Sequence, residues 1–539
     1  MTLELAAAAA LAGQDGGDVR ARQSGAAIQP FASILFPSAT APARGENREV
    51  PACFRDLGLD QVVQAVTAGR DEYDLAPLFC APLDDLDAIA YRQEVFRDVE
   101  TDPVAQAIRT FARRMKAMRD DLERSRKRYY RYERERWFLS AALVYREAVR
   151  ALLLDLSGAV PRSRGLRAFR DHLDVLVASL SFARLEAEAL GLKERLGAIR
   201  YSLLVRGSSV SVRPHEGEAD YSAEVEATFE RFRRAVTREY RAKPTSWNGM
   251  NHVEAQILDR VALLHPETFG ALDAFCASHA DYADPKVVAF DREIQFYLAY
   301  SEHVARIRGS GLAFCYPVLS SESKQVDCRN TFDLALAERL VREQSPVVTN
   351  DLQLHAPERL FVVSGPNQGG KTTFARTFGQ LHCLAGLGCP VPGGQARLFL
   401  CDRVFTHFDR EGKADSLRGK LQDDLIRIKQ ILDAASPRSV VILNEIFSST
   451  TLADAVFLGR RVLGRLSARG VLGVCVTFLD ELASFDETTV SVVSAVDPTQ
   501  PARRTFKIER RPADGLAHAL AIAEKHRVTR RWLEGRIRA

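Results

Sequence analysis

The chain contains 539 residues, more than a single hydrophobic core usually organises, so two or three domains are expected. Its 74 Lys and Arg residues nearly balance its 70 Asp and Glu residues, and the formal net charge of +4 therefore identifies no binding partner. The nine cysteines form no CxxC pair, which is typical of a protein in a reducing cytoplasm and not of a disulfide framework or a zinc site.

Residues 1–50 are predicted to form a flexible leader, because they are rich in Ala, Gly, Pro and Ser and their apolar clusters are short. The N-terminal stretch MTLELAAAAALAG is apolar, but Glu4 stands where a secretory signal carries basic residues, so export is not expected. No run approaches the roughly 18 apolar residues of a membrane span. The composition therefore predicts a cytoplasmic protein without a membrane partner.

Residues 51–345 are predicted to form a mostly α-helical domain of lever or clamp type. Apolar residues at steps of three, four and seven from Ile108 to Tyr132 predict one long amphipathic helix with a coiled-coil-like seam. The same spacing from Val225 to Tyr240 predicts a second long helix. Between them, residues 202–214 place β-forming residues on both sides of Arg206-Gly207-Ser208, which indicates a hairpin.

A basic stretch on the first predicted long helix is the candidate nucleic-acid contact. Eleven basic and five acidic residues lie between Arg113 and Arg136, and tyrosines are interleaved with them. Such a stripe would neutralise phosphates without reading sequence. A solvated helix face with internal i,i+4 ion pairs is an open alternative. The candidate contacts are Arg124, Arg126, Lys127, Arg128 and Arg131.

The sequence pattern of residues 346–539 is typical of an α/β domain. Short, β-branched apolar runs at 360–363, 440–443 and 471–476 alternate with helical stretches, as in a mostly parallel buried sheet. Directly after the first run, residues 365–372 match G-x-x-x-x-G-K-[ST] without a mismatch, and a helical stretch follows. In that context the loop predicts a phosphate site for ATP. The nucleotide-binding residues assigned to it are Gly365, Pro366, Asn367, Gly369, Gly370, Lys371, Thr372 and Thr373.

The second apolar run leads into Asn444 and Glu445, at the place where a Walker B strand ends. There the last residue of the strand supports Mg²⁺ and the following Glu activates water as a general base. The sequence therefore predicts Thr372 and Asn444 as the magnesium-supporting residues and Glu445 as the catalytic base, with a Glu that merely begins a surface helix as the alternative. An amide at position 444 has lost the usual negative charge.

These motifs resemble those of the DNA mismatch-repair MutS family. The likeness covers residues 348–517 in order, and its GPN-x-GGK-[ST]-T element is more restrictive than a generic P-loop. A weaker likeness to the start of the family's lever domain covers residues 82–96. The matching runs are residues 348–376, Gly388–Pro392, Asp402–Thr406, Asn444–Ile446 with Thr450 and Thr451, and Gly515–Ala517. The resemblance implies an ABC-like P-loop ATPase domain of MutS type C-terminal to the lever, and a homodimer that composes its ATP sites from two subunits and closes a clamp on DNA.

Several departures from the family pattern shape the functional expectation. The chain has no counterpart of the family's mismatch-reading domain with its Phe-x-Glu wedge, so we expect duplex or branched DNA to be bound without mismatch specificity. Gly419 stands where the family has its signature serine, Phe478 replaces the switch histidine, and Asn444 replaces the Walker B aspartate. We therefore expect an ATPase that is slow or conditional. The alternatives are a nucleotide-gated scaffold that dimerises with little or no hydrolysis, and a lever domain that grips a protein or RNA.

Overall fold

A computed structural model describes most of the chain, namely residues 31–37, 49–207, 209–217, 249–408, 419–483, 485–496, 504–513 and 527–537. Three sequence predictions therefore lie wholly or largely outside the described residues. They are the leader at 1–50, the second long helix at 225–240 and the motif Gly515–Ala517.

The helices and strands of the described residues follow one another in a helical region and then an α/β region. The α-helices are α1 (Cys53–Leu57), α2 (Leu59–Thr67), α3 (Ala76–Phe79), α4 (Leu86–Val99), α5 (Asp102–Lys127), α6 (Arg131–Ala159), α7 (Arg164–Val177), α8 (Leu180–Ala198), α9 (His252–Leu264), α10 (Pro266–Ser278), α11 (Pro285–Arg308), α12 (Leu334–Arg342), α13 (Lys371–Gly386), α14 (Lys420–Ala434), α15 (Leu452–Ala468) and α16 (Arg530–Ile537). The strands are β1 (Tyr201–Arg206), β2 (Ser209–Pro214), β3 (Phe314–Cys315), β4 (Val318–Ser320), β5 (Val326–Thr331), β6 (Asn350–Leu354), β7 (Leu360–Ser364), β8 (Val391–Pro392), β9 (Gln395–Phe399), β10 (Val404–Phe408), β11 (Val440–Asn444), β12 (Leu472–Val476), β13 (Thr489–Val496) and β14 (Arg504–Arg510).

A six-stranded sheet with the order β10-β11-β12-β7-β13-β14 organises the α/β region. The first five strands are parallel, and β14 pairs antiparallel with β13 at the edge. Strands β7, β11 and β12 are buried along their whole length, which explains their continuous apolar runs. Because the strands are parallel, the carboxyl ends of β7, β11 and β12 lie at one edge of the sheet. That edge carries the candidate nucleotide site.

A second sheet has four strands in the order β4-β9-β5-β6. Strands β3 and β8 form a separate pair. In the four-stranded sheet, β9 pairs parallel with β4 and antiparallel with β5, and β5 pairs antiparallel with β6. Strands β4 and β5 precede residue 346, whereas β6 and β9 follow it. The sheet therefore joins segments from both sides of the domain boundary predicted near that residue.

The structure corrects the single long helix predicted from Ile108 to Tyr132. Helix α5 ends at Lys127 and α6 begins at Arg131, and the residues between them are extended. The two helices lie side by side in opposite directions: Ser140 Oγ donates to Asp121 Oδ2 (2.7 Å), and Arg114 pairs with Glu147 (3.0 Å). The apolar spacing continues through the turn because Tyr132 packs against another helix, on the ring of Phe269 in α10 (4.8 Å between centroids).

A two-stranded hairpin lies at the residues where the sequence indicates one. Strands β1 and β2 pair antiparallel from Tyr201 opposite Pro214 to Arg206 opposite Ser209. Gly207 adopts a positive φ of 60° at the turn, a conformation that glycine accepts without a Cβ penalty.

One apolar core runs from the helical region into the α/β region. Its buried members include Phe96 of α4 and Phe296 of α11 as well as Phe374 and Phe378 of α13. Helices α4 and α11 therefore share one apolar core with α13, the helix that follows β7. None of the helices in the described parts of the chain is long and apolar enough to cross a membrane.

Candidate functional site

The loop between β7 and α13 has the backbone of a phosphate cradle. Gly365, Gln368 and Gly370 have φ values of 112°, 58° and 94°, a region that L-residues other than glycine seldom adopt. Gly370 is the N-cap of α13 and provides no side-chain hydrogen bond to the first turn. The backbone N–H groups and the positive end of the helix dipole are thus directed at the loop, as an anion site requires.

Lys371 begins α13 with its ammonium group folded into this loop. The side chain is buried, and Nζ donates to Gly365 O (2.9 Å), Pro366 O (3.1 Å) and Asn367 Oδ1 (3.4 Å). Burial lowers the pKa of Lys371, and the positive charge of Arg504 lowers it further, whereas Glu445 opposes both effects. An incoming phosphate would supply the negative charge that this desolvated cation lacks.

Thr372 and Asn444 meet across the sheet edge. Thr372 Oγ1 donates to Asn444 Oδ1 over 3.0 Å, and Asn444 is buried at the carboxyl end of β11. The two residues predicted as magnesium ligands are therefore brought together, although 72 positions separate them. Both offer neutral oxygens, which hard cations such as Mg²⁺ accept in combination with phosphate oxygens.

Glu445 occupies a strained turn immediately after β11. Its φ is 55°, and its backbone N–H donates to Val476 O at the end of β12 (2.9 Å). The next helix, α15, begins only at Leu452, so Glu445 does not begin a surface helix and that alternative was wrong. The turn holds the half-buried carboxyl group of Glu445 at the same sheet edge as Lys371. Backbone strain of this kind is often retained at functional positions.

Phe478 contacts Lys371, a pairing that the sequence did not predict. Lys371 Nζ lies 4.4 Å from the centroid of the Phe478 ring, and 48% of the Phe478 surface is exposed. A cation over an aromatic face at a partly exposed site contributes about 0.5–1 kcal/mol. The side chain at the expected switch position thus touches Lys371 directly. A neutral ring cannot accept or donate the hydrogen bonds that an imidazole would offer there.

Strands β13 and β14 form a second wall of the loop, and sequence reasoning missed it. Ser494 Oγ in β13 donates to Gly369 O (2.6 Å) and is fully buried. Asn350 Nδ2 donates to Phe506 O (3.1 Å), and the Phe506 backbone lies 3.5 Å from where a Cβ on Gly370 would stand. A single serine in an apolar strand carries no sequence signal for a contact 125 positions away.

Gly419, at the place of the expected signature serine, is the exposed N-cap of α14. Among the described residues, a Cβ there would meet no atom within 4 Å. The neighbouring Arg418 lies outside the described residues. The described part of the chain would therefore accommodate a serine at position 419 and does not explain the glycine.

The candidate DNA contacts lie at the turn between α5 and α6, not along one helix face. Arg124 pairs with Asp121 (3.1 Å), Arg128 with Glu133 (3.2 Å) and Lys127 with Glu123. Arg131 pairs with Glu135 (3.1 Å) and with Asp273 of α10. Arg126 is exposed. Four of the five predicted contacts thus have carboxylate partners, and only one of these carboxylates, Asp273, lies outside the stretch from Arg113 to Arg136.

The donor set at the sheet edge fits a nucleoside triphosphate with a divalent cation. The loop offers backbone N–H groups, an uncapped helix N-terminus and a buried ammonium group for phosphates, with a hydroxyl and an amide oxygen beside them. Among the residues that the structure describes, no group of three or more His, Cys, Asp and Glu side chains could hold a metal ion. A cation here would depend on the oxygens of Thr372, Asn444 and the nucleotide.

A comparison with known protein families also matches the region that contains the P-loop and β11. Residues 361–523 match the family model "MutS domain V". Endonuclease MutS2 of Gemmatimonas aurantiaca is 31% identical over 231 residues, which cover 41% of this chain and 27% of the relative. DNA mismatch repair protein MutS of Chlorobaculum tepidum is 33% identical over 146 residues, covering 26% of this chain and 16% of the relative. Its counterpart in Oleidesulfovibrio alaskensis is 33% identical over 151 residues, covering 27% and 16%.

The matched part of the chain therefore spans about a quarter or less of each of these relatives. Within that part the family model covers the P-loop, β11, Glu445 and β12. The matches support membership of the MutS family, as the sequence motifs indicated.

Proposed function

We propose, on the premise that this chain is a MutS-family member through its domain V, that it is an ATP-dependent DNA-binding protein of the mismatch-repair or recombination-related type. The observation that carries the proposal is the convergence of Lys371, Thr372 and Asn444 at one end of the parallel strands, beside an uncapped helix N-terminus. We further propose that the protein is a cytoplasmic homodimer whose P-loop ATPase domain binds ATP and Mg²⁺ to control a clamp on DNA.

Each residue of the site has a distinct role in this proposal. Lys371 turns from the loop carbonyls to the β- and γ-phosphate oxygens, while the backbone N–H groups of residues 367–373 hold the phosphates. Thr372 and Asn444 support the metal ion, and Glu445 orients and deprotonates a water molecule. When bound, the Mg²⁺ nucleotide supplies the phosphoanhydride bond and the charge neutralisation of the leaving group.

Three replacements limit hydrolysis in this scheme. Asn444 supports the cation without a charge, and changes around a metal of this kind typically cost about 10- to 100-fold in metal affinity or activity. Phe478 interacts with Lys371 but carries no exchangeable proton, and Gly419 offers no hydroxyl to a partner subunit's nucleotide. The groups that bind phosphate are retained, so we propose tight ATP binding with slow or conditional turnover.

Nucleotide titration and turnover of three variants test the proposal. Lys371→Ala removes charge-assisted hydrogen bonds worth about 1.5–3 kcal/mol, so ATP affinity should fall about 10- to 100-fold. Glu445→Gln should leave ATP affinity unchanged and reduce turnover by about 10²- to 10⁴-fold if hydrolysis occurs. Lys429→Ala, on the exposed face of α14, is the matched control and should change neither. Unchanged affinity of Lys371→Ala would contradict the site assignment.

DNA binding is tested separately because the geometry of the basic turn supports it less strongly. A filter-binding panel of duplex, mismatched, branched and single-stranded DNA, with and without ATP, should show salt-sensitive binding of duplex or branched DNA without mismatch preference. Affinity that stays constant from low to high salt would argue for a protein partner in place of a nucleic acid. Light scattering with and without ATP tests the homodimer.

A second function, a nucleotide-gated scaffold, is motivated by the Phe478–Lys371 contact and the amide at position 444. Such a protein would bind ATP and dimerise but hydrolyse nothing measurable. Turnover clearly above background in the wild type, and lost in Glu445→Gln, would reject the scaffold and favour the ATPase.

A further inference from the structure

Helix α1 lies along the P-loop helix α13 in a register fixed by hydrogen bonds. Arg376 Nε donates to Asp56 O (3.0 Å), and Gln380 Nε2 donates to Leu57 O (2.8 Å). Gly379 lets α1 approach closely, because a Cβ there would stand 2.6 Å from a methyl group of Leu57. Residues at the C-terminal end of α1 therefore face the middle of α13, and Cys53 and Phe54 line one cavity together with Cys383 and Gly386 near the end of α13.

This register brings Cys53 against Cys383. Cys53 is one turn before Leu57 on α1, and Cys383 is one turn after Gly379 on α13. The two cysteines therefore occupy the next pair of facing positions along the two helices. Interaction with the Cys383 thiol lowers the pKa of Cys53, and the same interaction together with burial raises the pKa of Cys383. Of the two thiols, Cys53 therefore loses its proton more readily and is the better nucleophile.

A cavity gives small molecules access to this pair. Its volume is about 790 Å³, and its wall includes Cys53, Cys80, His382, Cys383, Cys401 and Arg427. A peroxide molecule is little larger than water and needs only a small part of this space. The cavity is also remote from the phosphate loop, because Cys383 lies twelve residues along α13 from Lys371, roughly 18 Å at 1.5 Å per residue.

The other cysteines near the cavity lack this combination. Burial raises the pKa of Cys401 to about 12 and also raises the pKa of Cys80. Cys475, buried within β12, likewise has its pKa raised to about 12 by burial. Buried thiols of this kind remain protonated and react slowly.

We propose that Cys53 and Cys383 form an oxidation site at which hydrogen peroxide converts the two thiols into a disulfide that joins α1 to the P-loop helix. The Cys53 sulfur attacks one peroxide oxygen, the O–O bond breaks, and hydroxide leaves and takes up the proton lost by Cys53. The Cys383 sulfur then attacks the sulfenic sulfur of Cys53, and the S–O bond breaks. Its hydroxyl leaves as water with the Cys383 proton. Two thiols and one peroxide thus give one disulfide and two waters, and both electrons come from the sulfurs.

The proposal is tested on the reduced full-length protein by titration with hydrogen peroxide. After alkylation of the remaining thiols, proteolysis without reductant and mass spectrometry should reveal a peptide pair linked through Cys53 and Cys383 that disappears on reduction. Cys475 should remain fully alkylated after denaturation at the same peroxide dose. A product in which Cys53 carries only sulfinic acid, or is linked to Cys80 or Cys401 instead, would overturn the proposal.

Single variants separate the pair from its neighbours. Cys401→Ser should retain the Cys53–Cys383 link, whereas Cys53→Ser and Cys383→Ser should abolish it. Oxidation should also raise the melting temperature of the wild type and of Cys401→Ser, and leave that of Cys383→Ser unchanged, because a link between distant residues restricts the unfolded chain. The wild-type peptide map decides the proposal by itself if a serine variant fails to fold. An unlinked wild type at peroxide doses that oxidise the half-buried Met250 would refute it.

Discussion

The substitution Gly369→Ala tests the geometry of the phosphate loop most directly. An added Cβ would stand 3.0 Å from Pro366 O and from Ser494 Cβ, and it would overlap Ser494 Oγ. Ser494 would have to move, and its 2.6 Å hydrogen bond to Gly369 O would be lost. Overpacking costs about 1–3 kcal/mol and a lost buried hydrogen bond about 1 kcal/mol, so the free energy of unfolding should fall by about 2–4 kcal/mol.

A double-mutant cycle with Ser494→Ala tests whether the lost free energy of unfolding comes from the contact between the new Cβ and Ser494 Oγ. Removing the hydroxyl leaves the two contacts at 3.0 Å, so the double variant should recover about 1 kcal/mol relative to the sum of the single changes. Gly419→Ala is the control, since its Cβ would meet none of the described residues within 4 Å, and it should cost less than about 1 kcal/mol. Urea denaturation followed by circular dichroism, with equal m values, measures all four variants. Equal losses in Gly369→Ala and Gly419→Ala, or strict additivity with Ser494→Ala, would refute the reasoning.

Three further predictions follow from individual side chains. Asn444→Asp should restore the missing charge and raise Mg²⁺ affinity or ATP turnover about 10- to 100-fold, measured by turnover against Mg²⁺ concentration; no gain would show that the amide is not the limiting group. Burial lowers the pKa of His382 to about 4, so the folded state excludes a proton that the unfolded state accepts, and stability should fall as the pH drops from about 6.5 to about 4. The slope of unfolding free energy against pH should be shallower in His382→Asn, and an unchanged slope would contradict this. Arg126→Gln should weaken DNA binding at low salt more than Arg131→Gln does, because Arg131 is ion-paired with Glu135 and Asp273; the reverse order would show that those pairs release on binding.

The parts of the site that could be predicted from the sequence are those carried by short contiguous motifs. The phosphate loop is one contiguous motif, so its residues and its position between a strand and a helix followed from spacing alone. Thr372 and Asn444 were assigned to one magnesium-supporting pair from the P-loop motif and from the Walker B position at the end of an apolar run. The ion pairs of Lys127 with Glu123 and of Arg131 with Glu135 are i,i+4 pairs, the alternative left open by the sequence.

Contacts between distant segments could not be predicted in this way. The turn at residues 128–130 breaks the predicted helix, yet apolar spacing continues across it because Tyr132 has found a different partner in Phe269. Ser494 meets Gly369, and Phe478 meets Lys371, only because the order of strands in the sheet brings β12 and β13 to both sides of β7. Periodicity within one segment carries no information on that order.

The replacements around the candidate nucleotide site are expected to reduce the rate of ATP hydrolysis more than the affinity for ATP. In the proposed function, Lys371, Thr372 and the left-handed glycines act on phosphate in the ground state, and all of them are present at one end of the parallel strands. The positions that have changed, Asn444 and Phe478, are those that would carry charge or a proton while the bond to the γ-phosphate breaks. Interactions present in both the ground state and the transition state set affinity, and only those gained in the transition state set rate. A chain that keeps the first kind and loses the second is suited to use ATP as a bound effector, with Glu445 left to set how long that state lasts.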